Sequence, residues 1–197
     1  MDADRAFVGL DQTGVEVDLH RADRLLGPHE RHSAGEVCAT CIDDLTEAVA
    51  LHRGPFLDGF AIRGAPTFEM WVATTGEAVT HRLDVALARL AGAHATGGDY
   101  DAAAVATEHR IRTDPLREDA YRDLMRYRAW SGDRSGAVDV YRRAVGVLDA
   151  ELGVRPLDET TELYEAILNG DADTAAKVTE TADRKSTRLN SSHSSVS

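Results

Sequence analysis

The 197-residue sequence lacks the features on which several protein classes depend. It has only two cysteines, which excludes a disulfide-rich secreted scaffold and favours a reducing cytoplasm. No stretch approaches the roughly 18 consecutive apolar residues of a membrane span. The N-terminus also has no basic region leading into an apolar run, as a signal peptide would. The sequence therefore predicts a cytoplasmic protein with no membrane partner.

Positive charge is scarce as well. Lys and Arg total 22 against 34 Asp and Glu, so the formal net charge is −12. Only Lys177 and Lys185 are lysines, and no Gly-x-x-x-x-Gly-Lys phosphate loop is present. Because contacts to phosphates need a basic face, we do not expect this chain alone to bind nucleic acid directly.

From Glu36 onward the sequence shows the apolar spacing of helices. One apolar stripe covers residues 41–52, and a second covers 67–96, where Gly76 leaves open whether there are one or two helices. Two more helices are predicted towards the C-terminus, the first of them ending at Gly153 in a left-handed cap.

An internal repeat lies in the middle of the chain. Gly98 and Asp99 recur 34 residues later as Gly132 and Asp133, and Ala103 corresponds to Ala137. A helix–turn–helix period of 34 residues is typical of tetratricopeptide (TPR) repeats, although an Ala-rich protein can also match by coincidence. The predicted fold is all-α, a TPR-like superhelix of antiparallel helix pairs with a concave surface.

Both ends of the chain differ from this pattern. Residues 7–10 and 15–19 are short β-prone runs around a turn at 11–14, which predicts an N-terminal β-hairpin. Residues 171–184 are polar and predict a linker. Residues 185–197 contain six serines in thirteen positions, which predicts disorder. Their sequence resembles translated read-through of a sequencing adapter and is expected to be an artefact, a natural flexible tail being the alternative.

Four residues have the chemistry of metal ligands. His29, His32, Cys38 and Cys41 form a His-x2-His-x5-Cys-x2-Cys pattern that would suit zinc or redox chemistry. The spacing between the two pairs is short for a zinc finger, and Cys41 falls on an apolar helical stripe, where Cys acts as a small hydrophobe. We therefore predict no metal, no cofactor and no redox site.

No arrangement of side chains indicates catalysis. The acidic residues of the last predicted helix have the spacing of a solvated first turn, where negative charge favours the helix dipole. They are Asp158, Glu159, Glu162 and Glu165. The remaining histidines before the C-terminal tail are His20, His52, His81, His94 and His109, and none has the neighbours of an activated nucleophile. The sequence predicts no catalytic residue and no enzyme.

Two sets of side chains are candidates for recognising a partner, with a structural role as the alternative for each. The aromatic set either lines a groove or is buried between helices, and consists of Trp71, Tyr100, Tyr121, Tyr127, Trp130 and Tyr141. The basic set either contacts a partner's carboxylates or phosphates or is simply exposed on helices. It consists of Arg110, Arg112, Arg117, Arg122, Arg126, Arg128, Arg142 and Arg143.

Six ordered blocks carry a family resemblance. They are LHRGPFLDGF (51–60), FEMWV (68–72), GGDYDAAA (97–104), TDPLREDAYRDLMR (113–126), SGDRSGAVDVYRRAV (131–145) and ELGVRP (151–156) with ELYEAIL (162–168). Over about residues 18–170 the chain resembles the bacterial transcriptional activator domain (BTAD) of SARP/AfsR-type regulators. Those proteins activate transcription of secondary-metabolite gene clusters.

The resemblance implies a domain organisation and a set of partners. Residues 1–19 are similar to the end of an upstream winged helix-turn-helix domain whose recognition helix is missing, and 20–170 would be the activator domain. The implied function is regulation and oligomerisation in a transcriptional activator, of which this chain would be a fragment. The implied partners are the upstream DNA-binding domain, a downstream NTPase domain, RNA polymerase and a second copy in a homodimer.

The alternative is a free-standing TPR-like scaffold that binds a peptide. In the activator reading, the rings of Phe56, Phe60, Phe68 and Trp71 are expected to cluster and lock the first helices onto the TPR-like pairs.

Overall fold

A computed structural model describes residues 2–3, 8–9, 14–27 and 39–170, and almost all regular structure in these ranges is helical. The helices are α1 (Asp18–Leu26), α2 (Ala39–Leu51), α3 (Pro66–Thr96), α4 (Tyr100–Thr113), α5 (Glu118–Trp130), α6 (Arg134–Leu152) and α7 (Asp158–Asn169). The predicted all-α class is confirmed. In the described ranges, no helix is both long enough and apolar enough to cross a bilayer. The predicted linker and tail lie outside the described residues.

The predicted N-terminal hairpin is wrong in its second strand. Residues 15–17 have no regular structure, and helix α1 begins at Asp18. Strand β2 (Val8–Gly9) pairs instead with the upstream strand β1 (Asp2–Ala3), antiparallel. Of the predicted turn at 11–14, residues 11–13 lie outside the described residues, and Gly14 is in a turn with φ of 85°. The apolar residues of segment 18–26 recur at helical spacing, and the helix they form lies against α2.

The chain divides into two compact units, Met1–Ala93 and His94–Ser197. The first contains α1, α2 and most of α3. Its core includes Cys41, Leu45 and Ala48 of α2, as the apolar stripe predicts. Helix α3 is continuous for 31 residues, so Gly76 interrupts nothing.

The second unit contains helices α4 to α7. Helix α4 packs on α5, α5 on α6, and α6 on α7. Ala103 and Ala137, which correspond in the repeat, are both 0% exposed, so only a small side chain fits at either position. The other described residues of this unit with 0% exposure are Thr107, Ala120, Leu124, Met125, Ala144, Thr160 and Leu163. This succession of packed helices has the TPR-like character that the 34-residue period predicts.

The first Gly-Asp turn connects the end of α3 to α4. Gly98 adopts a left-handed backbone with φ of 79°, and its amide donates to the Ala95 carbonyl at 3.0 Å. The Asp99 amide donates to the His94 carbonyl at 2.9 Å, which satisfies carbonyls at the end of α3. The Asp99 carboxylate accepts a hydrogen bond from the Ala102 amide at 3.0 Å and so caps α4.

The second Gly-Asp turn, between α5 and α6, repeats this pattern bond for bond. Gly132 has φ of 87°, and its amide donates to the Ala129 carbonyl at 3.1 Å. The Asp133 amide donates to the Arg128 carbonyl at 2.8 Å, and the Gly136 amide donates to the Asp133 carboxylate at 2.8 Å. The structure therefore confirms that the two segments are repeats of one motif.

Replacing Asp133 tests this turn. Asp133→Ala removes the N-cap of α6 and should lower the melting temperature by about 3–6 °C. The hydrogen bond from the Gly136 amide, followed by that from Ser135, holds the pKa of Asp133 below its ordinary value. The cap therefore contributes above about pH 4 and is lost as the pH falls further. Thermal melts at several pH values should show the gap to wild type closing in acid.

The control for the cap is Asp139→Ala, on the same helix. Asp139 is exposed and pairs with Arg142 at 2.9 Å, an arrangement that contributes little to stability. Equal effects of the two substitutions would contradict the assignment of Asp133 as the cap.

The last two helices end in left-handed glycines. Gly153 follows α6 with φ of 67°, and its amide donates to the Asp149 carbonyl at 3.0 Å, as predicted. Gly170 follows α7 with φ of 80°.

Candidate functional site

Of the four candidate metal or redox residues, the structure describes only Cys41. Cys41 is 2% exposed on the core face of α2, which confirms its interpretation as a small apolar side chain. His29, His32 and Cys38 lie outside the described residues. Within the ranges that are described, no group of three His, Cys, Asp or Glu side chains is placed to hold a metal ion.

The acidic side chains of α7 are all exposed, as predicted for a solvated face. Asp158 and Glu159 occupy its first turn, and Glu159 lies 3.8 Å from Arg122. Glu162 and Glu165 follow on the same exposed side of the helix. The negative charges in the first turn interact favourably with the helix dipole, and the arrangement does not indicate acid–base chemistry.

The basic candidates form an ionic cluster between α4 and α5. Arg110 is 3% exposed, and its two Nη atoms lie 2.7 Å from Asp119 and 3.1 Å from Asp123. Arg126, 8% exposed, reaches the other oxygen of Asp123 at 3.0 Å. Two buried guanidinium groups are thus held by two carboxylates. Arg110 links α4 to α5, a role different from the partner contact or simple exposure between which the sequence left the choice open.

Asp119 shows how strongly this cluster is coupled. Burial raises the pKa of Asp119, but hydrogen bonds from Arg117 and the charge of Arg110 outweigh it, so the pKa lies below its ordinary value. Arg117 donates through Nε and Nη2 at 3.1 and 3.2 Å. The ionised carboxylate is therefore the form that the fold stabilises.

Most of the other candidate arginines are also paired within the second unit. Arg143 lies 3.0 Å from Glu108 and 5.5 Å from the Tyr121 ring centroid, which makes a cation–π contact. The further pairs are Arg142 with Asp139, Arg128 with Asp133 and Arg122 with Glu159. Arg112 is exposed and has no ion pair among the residues that the structure describes. The set is therefore mainly structural.

Glu118 has a role that sequence reasoning missed. Its carboxylate accepts hydrogen bonds from the Leu157 amide at 2.9 Å and from the Thr160 hydroxyl at 2.8 Å. Leu157 offers no side-chain cap of its own, so Glu118 of α5 caps the N-terminus of α7 from 39 residues away. Arg122 donates to the same buried hydroxyl at 2.9 Å. Glu118 belongs to the block that carries the family resemblance, but its partner was not predictable from spacing.

Two of the five aromatic candidates of the second unit are buried, and the other three are half-buried. Tyr121 is 1% exposed and Tyr127 is 8% exposed. For these two residues the structure therefore confirms burial and not the lining of an open groove. The Trp130 ring lies 5.6 Å from Tyr100 and 5.8 Å from Tyr127, in tilted contacts typical of a packed cluster.

A second aromatic contact joins α6 to α7. Tyr141 stacks on Tyr164 with ring centroids 4.0 Å apart and an interplanar angle of 10°. The Tyr141 hydroxyl is 3.3 Å from the Thr161 hydroxyl. Tyr164 was not among the predicted residues, although it shares the face of Leu163 and Ile167.

The aromatic cluster of the first unit forms as predicted, but much of it is exposed. Trp71 contacts Phe56 at 5.4 Å and Phe68 at 5.6 Å, and Phe60 contacts Phe68 at 5.8 Å. Trp71 is 50% exposed and Phe60 is 57% exposed. The cluster therefore fastens the segment before α3 to the start of that helix and leaves an apolar surface.

Tyr127 makes the stability of the second unit sensitive to alkali. Burial, and then the charge of Asp123, raise the pKa of Tyr127 to about 12. The unfolded chain loses this proton near pH 10, so the folded state loses about 2 kcal/mol of stability by pH 12. Tyr127→Phe should remove most of that loss in urea titrations, leaving the smaller share of Tyr121, whose pKa burial also raises. Tyr100→Phe is the control, and an undiminished alkaline loss in Tyr127→Phe would contradict the assignment.

Comparison with known proteins agrees with this architecture. The family model described as the bacterial transcriptional activator domain, BTAD, matches residues 17–168. No curated protein matches the chain. The solved structure of Mycobacterium tuberculosis EmbR in complex with a low-affinity phosphopeptide is similar in fold, with a TM-score of 0.60 and 23% identity. The similarity covers 84% of this chain and 44% of the EmbR chain, so this chain spans under half of that protein. Because the family model matches most of its length, the chain belongs to the bacterial transcriptional activator domain family, whose members regulate transcription.

Proposed function

We propose that this chain is the regulatory and oligomerisation module of a SARP/AfsR-type transcriptional activator and has no enzymatic activity. The observation that carries the proposal is the family match over residues 17–168, on helices with TPR-like packing. The module acts in the cytoplasm as a homodimer that holds two DNA-binding domains at the spacing of tandem promoter repeats. It contacts RNA polymerase and, in longer relatives, a downstream NTPase domain.

The charge distribution supports a role in protein contacts rather than in DNA binding. The net charge is −12, and seven of the eight candidate arginines pair with carboxylates of their own unit. Arginines neutralised in this way release few counterions from DNA, so the electrostatic source of affinity is weak. DNA contact is therefore assigned to the upstream winged-helix domain.

We propose a module boundary at the start of helix α1, close to the boundary after residue 19 that the sequence predicts. Residues 1–19 were assigned to the upstream domain, but α1 begins at Asp18 and the family match begins at 17. We place the start of the activator module there, with the residues before it as the end of the winged-helix domain. Residues 171–184 remain proposed as a linker and 185–197 as an artefactual tail.

Tethering the chain to DNA tests this function. The chain is fused to an unrelated DNA-binding domain whose operator lies upstream of a weak promoter, and transcription by purified bacterial RNA polymerase is measured in vitro. The fusion should retain polymerase at the promoter and raise transcript yield above that of the DNA-binding domain alone. Separately, the unfused chain should leave promoter DNA unshifted in a gel.

The free-standing scaffold is the other outcome. A fusion that occupies its operator but neither recruits polymerase nor raises transcription would refute the activator proposal. A mobility shift by the unfused chain would refute the assignment of DNA contact to another domain.

A further inference from the structure

A cavity of about 270 Å³ lies in the first unit, among α1, α2, the segment that follows α2, and α3. Its walls are mainly aliphatic, and they include Leu19, Leu26, Ala48, Val49, Leu83 and Ala86. The size is close to the lower end of small-molecule pockets, which are typically about 300–1,000 Å³ and mostly apolar. Such a cavity suits a compact apolar molecule and is too small for a peptide helix.

Charged side chains stand at the rim, and two of them already form an ion pair with each other. Asp23 forms an ion pair with Arg82, and Asp18 accepts a hydrogen bond from the Leu19 amide at 2.8 Å. Arg53 also lines the cavity, is exposed, and has no ion-pair partner within the described part of the chain. The rim therefore offers one unmatched cation.

We infer that this cavity binds a small, mainly apolar carboxylic acid, with its hydrocarbon portion inside and its carboxylate at Arg53. Burial of apolar surface against the aliphatic walls supplies the affinity. The guanidinium of Arg53 selects a carboxylate, because its fork of donors matches the two oxygens. For a cationic ligand, Asp23 at the rim is already paired with Arg82.

The inference does not depend on the proposed role in transcription. A molecule that touches α1, α2 and α3 together binds the folded unit and not the unfolded chain, so it raises the stability of this unit by mass action. The ligand site is in the first unit, whereas the repeat turns and the ionic cluster belong to the second.

The first test uses the full 197-residue chain and decanoate as the probe. Decanoate is titrated, below its micellar range, into isotopically labelled protein, with 1-decanol and decylammonium as probes of matched chain length. Amide resonances of cavity residues in α1, α2 and α3 should shift saturably, and decanoate should bind more tightly than the other two. Absence of saturable shifts at these residues, or equal affinity for all three probes, overturns the proposal.

Two rim variants test the carboxylate contact. Arg53→Ala should weaken decanoate binding about threefold to fivefold and leave 1-decanol unchanged, as expected for one exposed ion pair. Arg63→Ala is the matched control, because Arg63 is an exposed arginine in the same inter-helix segment but does not line the cavity. Equal effects of Arg53→Ala and Arg63→Ala would reject Arg53 as the carboxylate site.

A filling variant tests the cavity itself. Ala22 lines the cavity and is only partly buried, so Ala22→Phe places a ring inside without rebuilding the core. Binding of decanoate should fall at least about tenfold because the space is occupied. Ala73→Phe, at an exposed position of α3 away from the cavity, should bind as the wild type does. Unchanged binding by a folded Ala22→Phe protein, with its helical content intact, locates the probe elsewhere and overturns the proposal.

Discussion

Ala137→Trp is expected to disrupt the packing of the second unit. Ala137 is 0% exposed on α6, directly after the second Gly-Asp turn, and has no space for a larger side chain. An indole ring there must push neighbouring helices apart or adopt a strained rotamer, at a cost of about 3 kcal/mol or more. The melting temperature should fall by about 10 °C or more, with loss of helical circular dichroism at growth temperature.

The matched control is Ala150→Trp, at an exposed position near the end of the same helix. It adds the same ring to α6 but meets solvent, so its effect should stay within about 0.5 kcal/mol. An Ala137→Trp protein with full helical content and an unchanged melting temperature would refute the close helix approach at the repeat alanine.

Arg110→Ala is expected to have the other large effect. The substitution leaves Asp119 and Asp123 facing a site from which their buried guanidinium has been removed. Removing one partner of a buried ion pair costs about 3–5 kcal/mol, and the partial exposure of both carboxylates lowers our expectation to about 3 kcal/mol. Equilibrium urea unfolding at neutral pH measures this loss directly.

The pH dependence of the stability loss in Arg110→Ala provides a second test of the ion pair. The folded state holds the pKa of Asp119 below its unfolded value, so this group stabilises the protein above about pH 4 and loses its contribution in acid. Without the Arg110 guanidinium, the two carboxylates of the folded variant take up protons at higher pH than those of the wild type, so the difference between the two proteins should shrink as the pH falls towards and below about 4. Arg112→Ala, at an exposed neighbour on the same helix, should change stability by less than about 0.5 kcal/mol. A loss in Arg112→Ala as large as that in Arg110→Ala would show that burial of the ion pair is not the cause.

Helix boundaries near glycine were predictable because local chemistry decides them. Gly98, Gly132 and Gly153 each adopt the left-handed backbone that glycine allows at little steric cost. The aspartates that follow Gly98 and Gly132 cap the next helix with their own side chains. Each of these contacts lies within six residues along the chain, and spacing alone reveals them.

Helix α1 was missed because two local signals conflict in the same segment. The alternation of Val15, Val17 and Leu19 favours a strand, whereas Leu19, Ala22 and Leu26 share a helical face. Packing of α1 on α2 decides between them. A β-prone run of this length is marginal without a partner strand, so the tertiary contact prevails.

Sequence alone established the all-α class, the 34-residue repeat, the helix-ending glycines and the family resemblance, since each rests on short-range spacing or ordered motifs. Tertiary structure decided what the charged residues do. Arg110 binds carboxylates 9 and 13 residues away, and Glu118 caps a helix that begins 40 residues later. An arginine on a helix has the same local sequence signature whether it faces solvent or a buried carboxylate. Only the packing of neighbouring helices distinguishes the two environments, and the cavity beside Arg53 likewise exists only once three helices have met.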